Sequence, residues 1–145
     1  MKDFSDKVNL VLTKYNLLGK ENQKHNHFII TKYKNEKDNI GFHNDKDRDF
    51  EPGSWVVIVK FGEARKFEFQ YEDKTFWSKK LDAGTAIFLN YETNRIIKHG
   101  VPDMKEKVGM SGSVVTRSIK TVIPWDTVHK NIEKSNKLRN KNKKE

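Results

Sequence analysis

The stretch WVVIVKFGEARKFEFQY, residues 55–71, is the part of the chain that decides its fold class. Its first half is rich in β-branched and aromatic residues, and its second half alternates, with Phe67, Phe69 and Tyr71 on one face. Gly62 separates the two halves. Such a pair of segments predicts two strands joined by a short turn.

Short segments of the same character lie on both sides of this stretch. They cover residues 27–33, 75–80, 85–90, 95–98 and 113–123. Before them, residues 4–18 place apolar side chains at helical spacing, with Ser5 as the predicted cap and Gly19 as the predicted end. One helix followed by seven or eight strands, without alternation of strands and helices, predicts a mainly β protein with an N-terminal helix and a barrel or double-sheet jelly-roll core.

The composition limits the chemistry available to the chain. It has no cysteine, which excludes disulfides, thiolate metal sites and a cysteine nucleophile, so His and carboxylates are the strong metal ligands that remain. A length of 145 residues suits one domain, which we predict to span residues 1–128. No segment has the pattern of a signal peptide or a membrane span. We therefore expect a soluble intracellular protein, cytoplasmic or nuclear, with a viral protein in a host cell as one option.

Positive charge is concentrated at the C-terminus. Residues 129–145 contain seven Lys or Arg and two Glu, and so supply +5 of the formal net charge of +9. Only Ile132 and Leu138 in this segment are apolar, which predicts a basic, flexible tail. Two interpretations stay open: a solvated chain end, or a contact with nucleic-acid phosphates that weakens as salt rises.

One segment, GFHNDKDRDF, contains the pair His43-x-Asp45. Residues two apart in a strand project to the same side, so one imidazole and one carboxylate can reach one cation. His99, at the end of a later predicted strand, is the candidate third ligand. Two His and one carboxylate form the facial triad of non-haem Fe(II) oxygenases. His25 and His27 form another pair, but they have no neighbouring carboxylate and are interpreted as structural.

Four segments in the same order resemble segments of the AlkB-like dioxygenases. They are YKNEKDNIGFHNDKD at 33–47, SWVVIVKFGEARKFEF at 54–69, AGTAIFLN at 83–90 and KHGVP at 98–102. The resemblance covers roughly residues 28–123. It implies a double-stranded β-helix core that binds Fe(II), with 2-oxoglutarate and O₂ as cosubstrates. It also implies that His43, Asp45 and His99 are the iron ligands.

The resemblance further implies residues that hold the cosubstrate. Tyr33 matches the family's tyrosine that hydrogen-bonds 2-oxoglutarate, and Thr31 stands where the family usually has asparagine. The family carries two arginines six residues apart on its last core strand, with an asparagine two residues after the first. The corresponding segment here, SGSVVTRSIKTVI, contains only Arg117. Under any alignment, Arg117 is therefore the arginine expected to contact 2-oxoglutarate, because its guanidinium can form two charge-assisted hydrogen bonds with a carboxylate.

Two alignments of this last segment are possible. If Arg117 is the second arginine, Ser111 replaces the first arginine and Ser113 replaces the asparagine. If Arg117 is the first arginine, Ile119 replaces the asparagine and Ile123 replaces the second arginine. We prefer the former because it keeps small polar groups on the inner face of the barrel. A lysine such as Lys60 or Lys105 would then supply the missing positive charge.

Two residues near the triad are candidates for contact with the substrate. Asp47 matches an acidic residue that approaches the substrate base in some members, or it is a solvated loop charge. Phe42 either faces the pocket or packs in the core. The leading function is oxidative demethylation or hydroxylation of alkylated bases in DNA or RNA, single-stranded or flipped. The short segment before His43 favours an alternative, a dioxygenase acting on a protein side chain or small molecule; a third option is a catalytically weak RNA-binding barrel.

Overall fold

The computed structural model describes residues 2–18 and 24–120. Within them the chain forms two helices and eight strands. In chain order they are α1 (Lys2–Lys14), β1 (His27–Tyr33), β2 (Ile40–His43), β3 (Trp55–Gly62), β4 (Arg65–Tyr71), β5 (Lys74–Leu81), β6 (Ala86–Asn90), α2 (Tyr91–Ile96), β7 (Lys98–Val101) and β8 (Ser111–Arg117).

The strands form two four-stranded antiparallel sheets that face each other. One has the order β1-β8-β3-β6 and the other the order β2-β7-β4-β5. Consecutive strands β3 and β4 lie in different sheets, and Gly62 begins the turn between them with a φ of 75°. A Cβ at this glycine would collide with the backbone of Met110. The mainly β fold with an N-terminal helix and a jelly-roll core is therefore confirmed.

Strand β3 is buried on both faces, which explains its nearly continuous apolar sequence. Val56 and Ile58 point into the main core between the sheets, where Phe67, Leu89 and four other buried apolar side chains pack. Val57 points to the opposite face and packs against Val8 and Leu12 of α1. The amphipathic N-terminal helix thus covers the outside of one sheet and leaves the space between the sheets for the site.

Several predicted boundaries were wrong. Helix α1 ends at Lys14 rather than Leu18, and Ser5 lies within it, where its hydroxyl donates to the His25 carbonyl instead of capping the helix. Residues 95–98 do not form one strand: Arg95 and Ile96 end α2, and Lys98 begins β7. Helix α2 begins after Asn90, whose side chain accepts a hydrogen bond from the Thr93 amide. The last strand ends at Arg117, and the proposed tail at 129–145 and the 128/129 boundary lie outside the described residues. Among the described residues no helix is long and apolar enough to cross a bilayer.

His25 connects α1 to the sheet that it covers. Its amide donates to Asn9 Oδ1 at 2.8 Å, and its ring Nδ1 lies 3.1 Å from the Thr116 hydroxyl. Burial lowers the pKa of the ring to about 4, although a hydrogen bond with the Trp55 backbone partly opposes this effect. His25 is therefore neutral and structural, as its sequence context predicted.

This burial makes folding stability depend on pH. An unfolded histidine takes up a proton near pH 6.5, whereas folded His25 does so only near pH 4. The unfolded state therefore binds more protons between these values, and the free energy of unfolding should fall as pH is lowered from 6.5 to 4. Urea titrations across this range should show His25 contributing up to about 3 kcal/mol of that loss. The His25→Gln variant should show a shallower slope; an identical slope in both proteins would contradict the assignment.

Candidate metal centre

Two histidines face each other across an antiparallel strand pair. His43 at the end of β2 is the register partner of His99 in β7, and their ring centroids are 4.5 Å apart. The register shifts between Ile40 and His43, which marks an irregularity of the bulge type. Directly opposed residues in such a pair project to the same face, and a bulge changes the direction of a side chain near a sheet end. This local geometry brings together two imidazoles that are 56 residues apart in sequence.

Both rings are suited to binding a cation in their neutral form. His43 Nδ1 lies 2.7 Å from the Gly41 carbonyl oxygen, so this nitrogen carries the proton and Nε2 has the free lone pair. His99 is buried, and its ring stacks on Phe67 with a centroid distance of 5.8 Å. Burial, the dominant effect, lowers the pKa of His99 to about 4, so this ring is unprotonated at neutral pH.

Asp45 is held in place through its backbone. Its amide donates to Asn94 Oδ1 at 3.0 Å, and Asn94 Nδ2 donates to the Asp45 carbonyl at 2.9 Å. Asn94 belongs to α2 and is fully buried. The neighbouring Asn44 side chain donates to the carbonyls of Asn94 and Ile97 at 2.6 and 3.0 Å. We refer to Asn44, Asp45 and Asn94 as the asparagine clamp. Asn94 was not predicted as a site residue, although an Asn cap followed by an acidic residue indicates the helix that carries it.

The two carboxylate oxygens of Asp45 have different surroundings. Oδ1 accepts a hydrogen bond from Arg117 Nη1 at 3.0 Å, and both side chains are only 12% exposed. The Arg117 Nε donates to His27 Nδ1 at 3.1 Å, and the guanidinium lies 4.9 Å from the centre of the Phe50 ring. Burial, followed by the charge of Arg117, lowers the pKa of His27 and favours the neutral ring that can accept this bond. Oδ2 is buried and has no hydrogen-bond partner among the residues that the structure describes.

The donor set fits a divalent transition metal. One ligand atom each from His43, Asp45 and His99 can be chosen so that all three lie within 4.8 Å of one another. The unpartnered Asp45 Oδ2 supplies a negative charge, and the imidazoles supply neutral nitrogen donors. Two imidazoles and one carboxylate are a ligand set of non-haem Fe(II) oxygenase sites, in which other coordination positions are open.

The triad opens onto a cavity of about 100 Å³ between the two sheets. Three residues that the sequence analysis assigned to the cosubstrate, Thr31, Tyr33 and Ser113, line the same cavity. The rest of the lining is apolar: Ile29, Ile40, Ile58, Phe67, Val101 and Val115. A mostly apolar enclosure with a few polar groups is typical of a small-molecule site.

Three other predicted site residues lie outside this lining. Arg117 contacts Asp45, as described. Asp47 forms an ion pair of 3.3 Å with Arg95, and the ring of Phe42 lies against Gly100. The assignment of Asp47 and Phe42 to substrate binding stays a prediction. Lys105 is exposed, whereas Lys60 is buried beside the cavity-lining residues.

Comparison with known proteins identifies the family of this chain. The family model described as the 2OG-Fe(II) oxygenase superfamily matches residues 1–139. DNA oxidative demethylase ALKBH2 of Homo sapiens is 30% identical over 110 residues, which is 70% of this chain and 42% of the relative. The Mus musculus protein of that name is 29% identical over 106 residues, 67% of this chain and 44% of the relative. The chain thus spans less than half the length of these curated relatives.

A solved structure, OsALKBH1, matches the fold with a TM-score of 0.57 at 17% identity, covering 81% of this chain and 65% of that one. The name of the matching superfamily specifies iron(II), 2-oxoglutarate and an oxygenase reaction, so the cofactors are Fe(II), 2-oxoglutarate and O₂. The His-Asp-His cluster is the group of described residues suited to the iron. The chain belongs to the 2OG-Fe(II) oxygenase superfamily and is of the AlkB-like type.

Proposed function

We propose that this chain is an Fe(II)- and 2-oxoglutarate-dependent dioxygenase whose metal ligands are His43, Asp45 and His99. The observation that carries the proposal is the convergence of these three donors on the lining of one mostly apolar cavity. His43, Asp45 and His99 would hold the iron, which would supply oxidation by O₂: one oxygen atom would enter succinate as 2-oxoglutarate loses CO₂, and the other would enter a substrate C–H bond. The protein's part is to orient both reactants and to exclude water.

Polar residues of β1 and β8 are the proposed contacts for 2-oxoglutarate. Thr31 and Ser113 are register partners on neighbouring strands, and Tyr33 follows on the same face. This arrangement supports the alignment in which Ser113 replaces the family's asparagine and Arg117 is the second arginine. In the other alignment the asparagine position falls on Ile119, which lies beyond β8 and forms a bridge with Phe50.

Arg117 has a second part in the proposal. Its contact with Asp45 offsets the negative charge of the carboxylate and fixes Oδ1, so that Oδ2 is directed to the metal. The bond from Arg117 Nε to His27 fixes the plane of the guanidinium. Arg117 is thus proposed to position the metal ligand, and its contact with 2-oxoglutarate stays a prediction because Arg117 lies outside the lining of the cavity.

The proposed substrate is an alkylated base in nucleic acid. Two observations support it: the curated relatives are named DNA oxidative demethylases, and the chain has a net charge of +9. Hydroxylation of an N-methyl group gives an N-hydroxymethyl group, which releases formaldehyde and leaves the unmodified base. Location in the cytoplasm or nucleus belongs to the same proposal. A protein side chain or a free small molecule is the alternative substrate, and RNA binding without turnover is the alternative function.

A turnover assay separates these functions. The purified chain is loaded with Fe(II) without oxygen, and 2-oxoglutarate and air are then added together with a methylated oligonucleotide, its unmethylated counterpart, a methylated peptide or no substrate. We expect succinate and formaldehyde to rise with the methylated oligonucleotide and to be lost in His43→Ala. Stimulation by the peptide alone would overturn the nucleic-acid substrate. No succinate under any condition, including the uncoupled reaction, would overturn the enzymatic function.

A further inference from the structure

Lys60 is a buried cation that has no charged partner in the described part of the chain. Its side chain in β3 is 2% exposed, and its Nζ has neither a hydrogen-bond partner nor an ion pair within residues 2–18 and 24–120. The Ser111 hydroxyl, at the start of β8, is fully buried and also lacks a partner there. Buried polar groups are usually hydrogen-bonded, so two unsatisfied groups in one region require an explanation.

The strand register places Lys60 beside the cavity. Lys60 is the partner of Ser113 across β3 and β8, and Ser113 is the partner of Thr31 across β8 and β1. Ser111 and Tyr33 are partners two residues further along the same face. Ser113, Thr31 and Tyr33 line the cavity, and Lys60 Nζ lies 5.5 Å from the centre of the Tyr33 ring. The ammonium and the Ser111 hydroxyl therefore belong to the polar face that borders the cavity.

The neighbouring Arg65 adds positive charge to this region and therefore cannot compensate the charge of Lys60. Its guanidinium donates to the backbone carbonyls of Asn35, Glu36 and Asp38, and it lies 5.0 Å from the centre of the Tyr33 ring. Burial, followed by the charge of Arg65, lowers the pKa of Lys60 to about 8. A buried charge without a partner destabilises a protein, and an anion bound beside Lys60 would remove that penalty.

We propose that Lys60 and the Ser111 hydroxyl bind the distal carboxylate of 2-oxoglutarate, the one that does not approach the metal. The ammonium offers three donors and a compact charge, and the hydroxyl offers one more donor. This inference rests on the proposed function, because it assumes that 2-oxoglutarate enters the cavity with its keto-acid end toward the triad. It explains how a β8 strand with a single arginine can still recognise a dicarboxylate.

Ligand binding without turnover tests this assignment. The protein is loaded with Mn(II), and calorimetry gives the affinities for 2-oxoglutarate and for 2-oxopentanoate, which carries a methyl group in place of the distal carboxylate. Hydrogen bonds with charged groups contribute roughly 1.5–3 kcal/mol, so wild type should prefer 2-oxoglutarate by about 10- to 100-fold. Lys60→Met should lose this preference while its affinity for 2-oxopentanoate stays the same. Ser111→Ala should lose a smaller part of it.

Matched variants distinguish a ligand contact from a structural role. Lys105→Met, which removes an exposed lysine, should keep the full preference. Without ligand, Lys60→Met should melt at a higher temperature than wild type, because it removes an unpaired buried charge. A lower melting temperature, or an unchanged preference in both Lys60→Met and Ser111→Ala, would overturn the inference and leave the proposed function intact. If wild type binds neither keto acid, the proposed function fails, and the inference fails with it.

Discussion

Replacing Asp45 with asparagine is expected to reduce metal affinity by more than about 100-fold. Loss of a residue that only hydrogen-bonds a metal ligand costs up to about 100-fold, and loss of the ligand itself should cost more. The substitution keeps the shape of the side chain and removes the only carboxylate among the three candidate ligands. It also leaves Arg117 buried without its acidic partner. Titration of the metal-free protein with Mn(II) or Fe(II) under anaerobic conditions measures the effect.

Asp47→Asn is the matched control for this prediction. It makes the same chemical change two residues along the chain, but in a partly exposed ion pair with Arg95. Asp47 is not one of the three candidate ligands, so metal affinity should stay within a factor of a few of wild type. The lost surface ion pair should lower folding stability by no more than about 1 kcal/mol. Equal affinities for Asp45→Asn and wild type would exclude Asp45 as a ligand.

Arg117→Met is expected to lower the free energy of unfolding of the metal-free protein by about 3–5 kcal/mol. The variant leaves the Asp45 carboxylate buried with an uncompensated charge, and it removes the contact with the Phe50 ring. Lysine should not rescue it fully, because one ammonium cannot reproduce the fork that bonds Asp45 and His27 simultaneously. Urea denaturation in the presence of a chelator gives the measurement.

A double variant tests whether this loss comes from the ion pair. Asp45→Asn combined with Arg117→Met removes both charges and leaves neither one unpaired. Its loss in free energy of unfolding should therefore be smaller than the sum of the losses of the two single variants. Arg95→Met serves as the control. It removes ion pairs with Asp47 and Glu92 near the surface, so it should lower the free energy of unfolding by less than about 1 kcal/mol. Additive losses, or a loss of under about 1 kcal/mol in Arg117→Met, would contradict the proposed pairing.

Strand prediction succeeded where the signal is local. Residues 27–33 and 65–71 are strands with the predicted bounds, because β-branched and aromatic residues or a strict alternation mark them. The region around β7 was predicted less well. Helix α2 has only six residues, too few to establish a helical period, and its local signals are limited to the Asn90 cap and the charged residues Glu92 and Arg95. Strand β2 has four residues and depends on pairing with β7, which no short pattern reveals.

The candidate site divides in the same way. His43 and Asp45 could be selected because they are close in sequence, and His99 because it follows a predicted strand, but the pairing of His99 with His43 arises from the sheet register and could not be predicted. The exchange of hydrogen bonds between Asn94 and Asp45 could not be predicted, because it depends on where α2 packs. Burial of Lys60 likewise follows from the closing of the two sheets: a lysine among Val and Phe residues in a strand gives no sign of which face it occupies.

The asparagine clamp also bears on how fast a metal ion could enter and leave. Because Asn94 already holds the Asp45 backbone, the conformational entropy of ordering this ligand is lost during folding and not at metal uptake. Metal association would then need no loop rearrangement. Dissociation would be coupled to local opening of α2, because a fluctuation that separates this helix from residue 45 also releases the carboxylate. Amide hydrogen exchange at Asp45 and Ile97 would then report on one cooperative opening event, and a bound metal would slow both amides by the same factor.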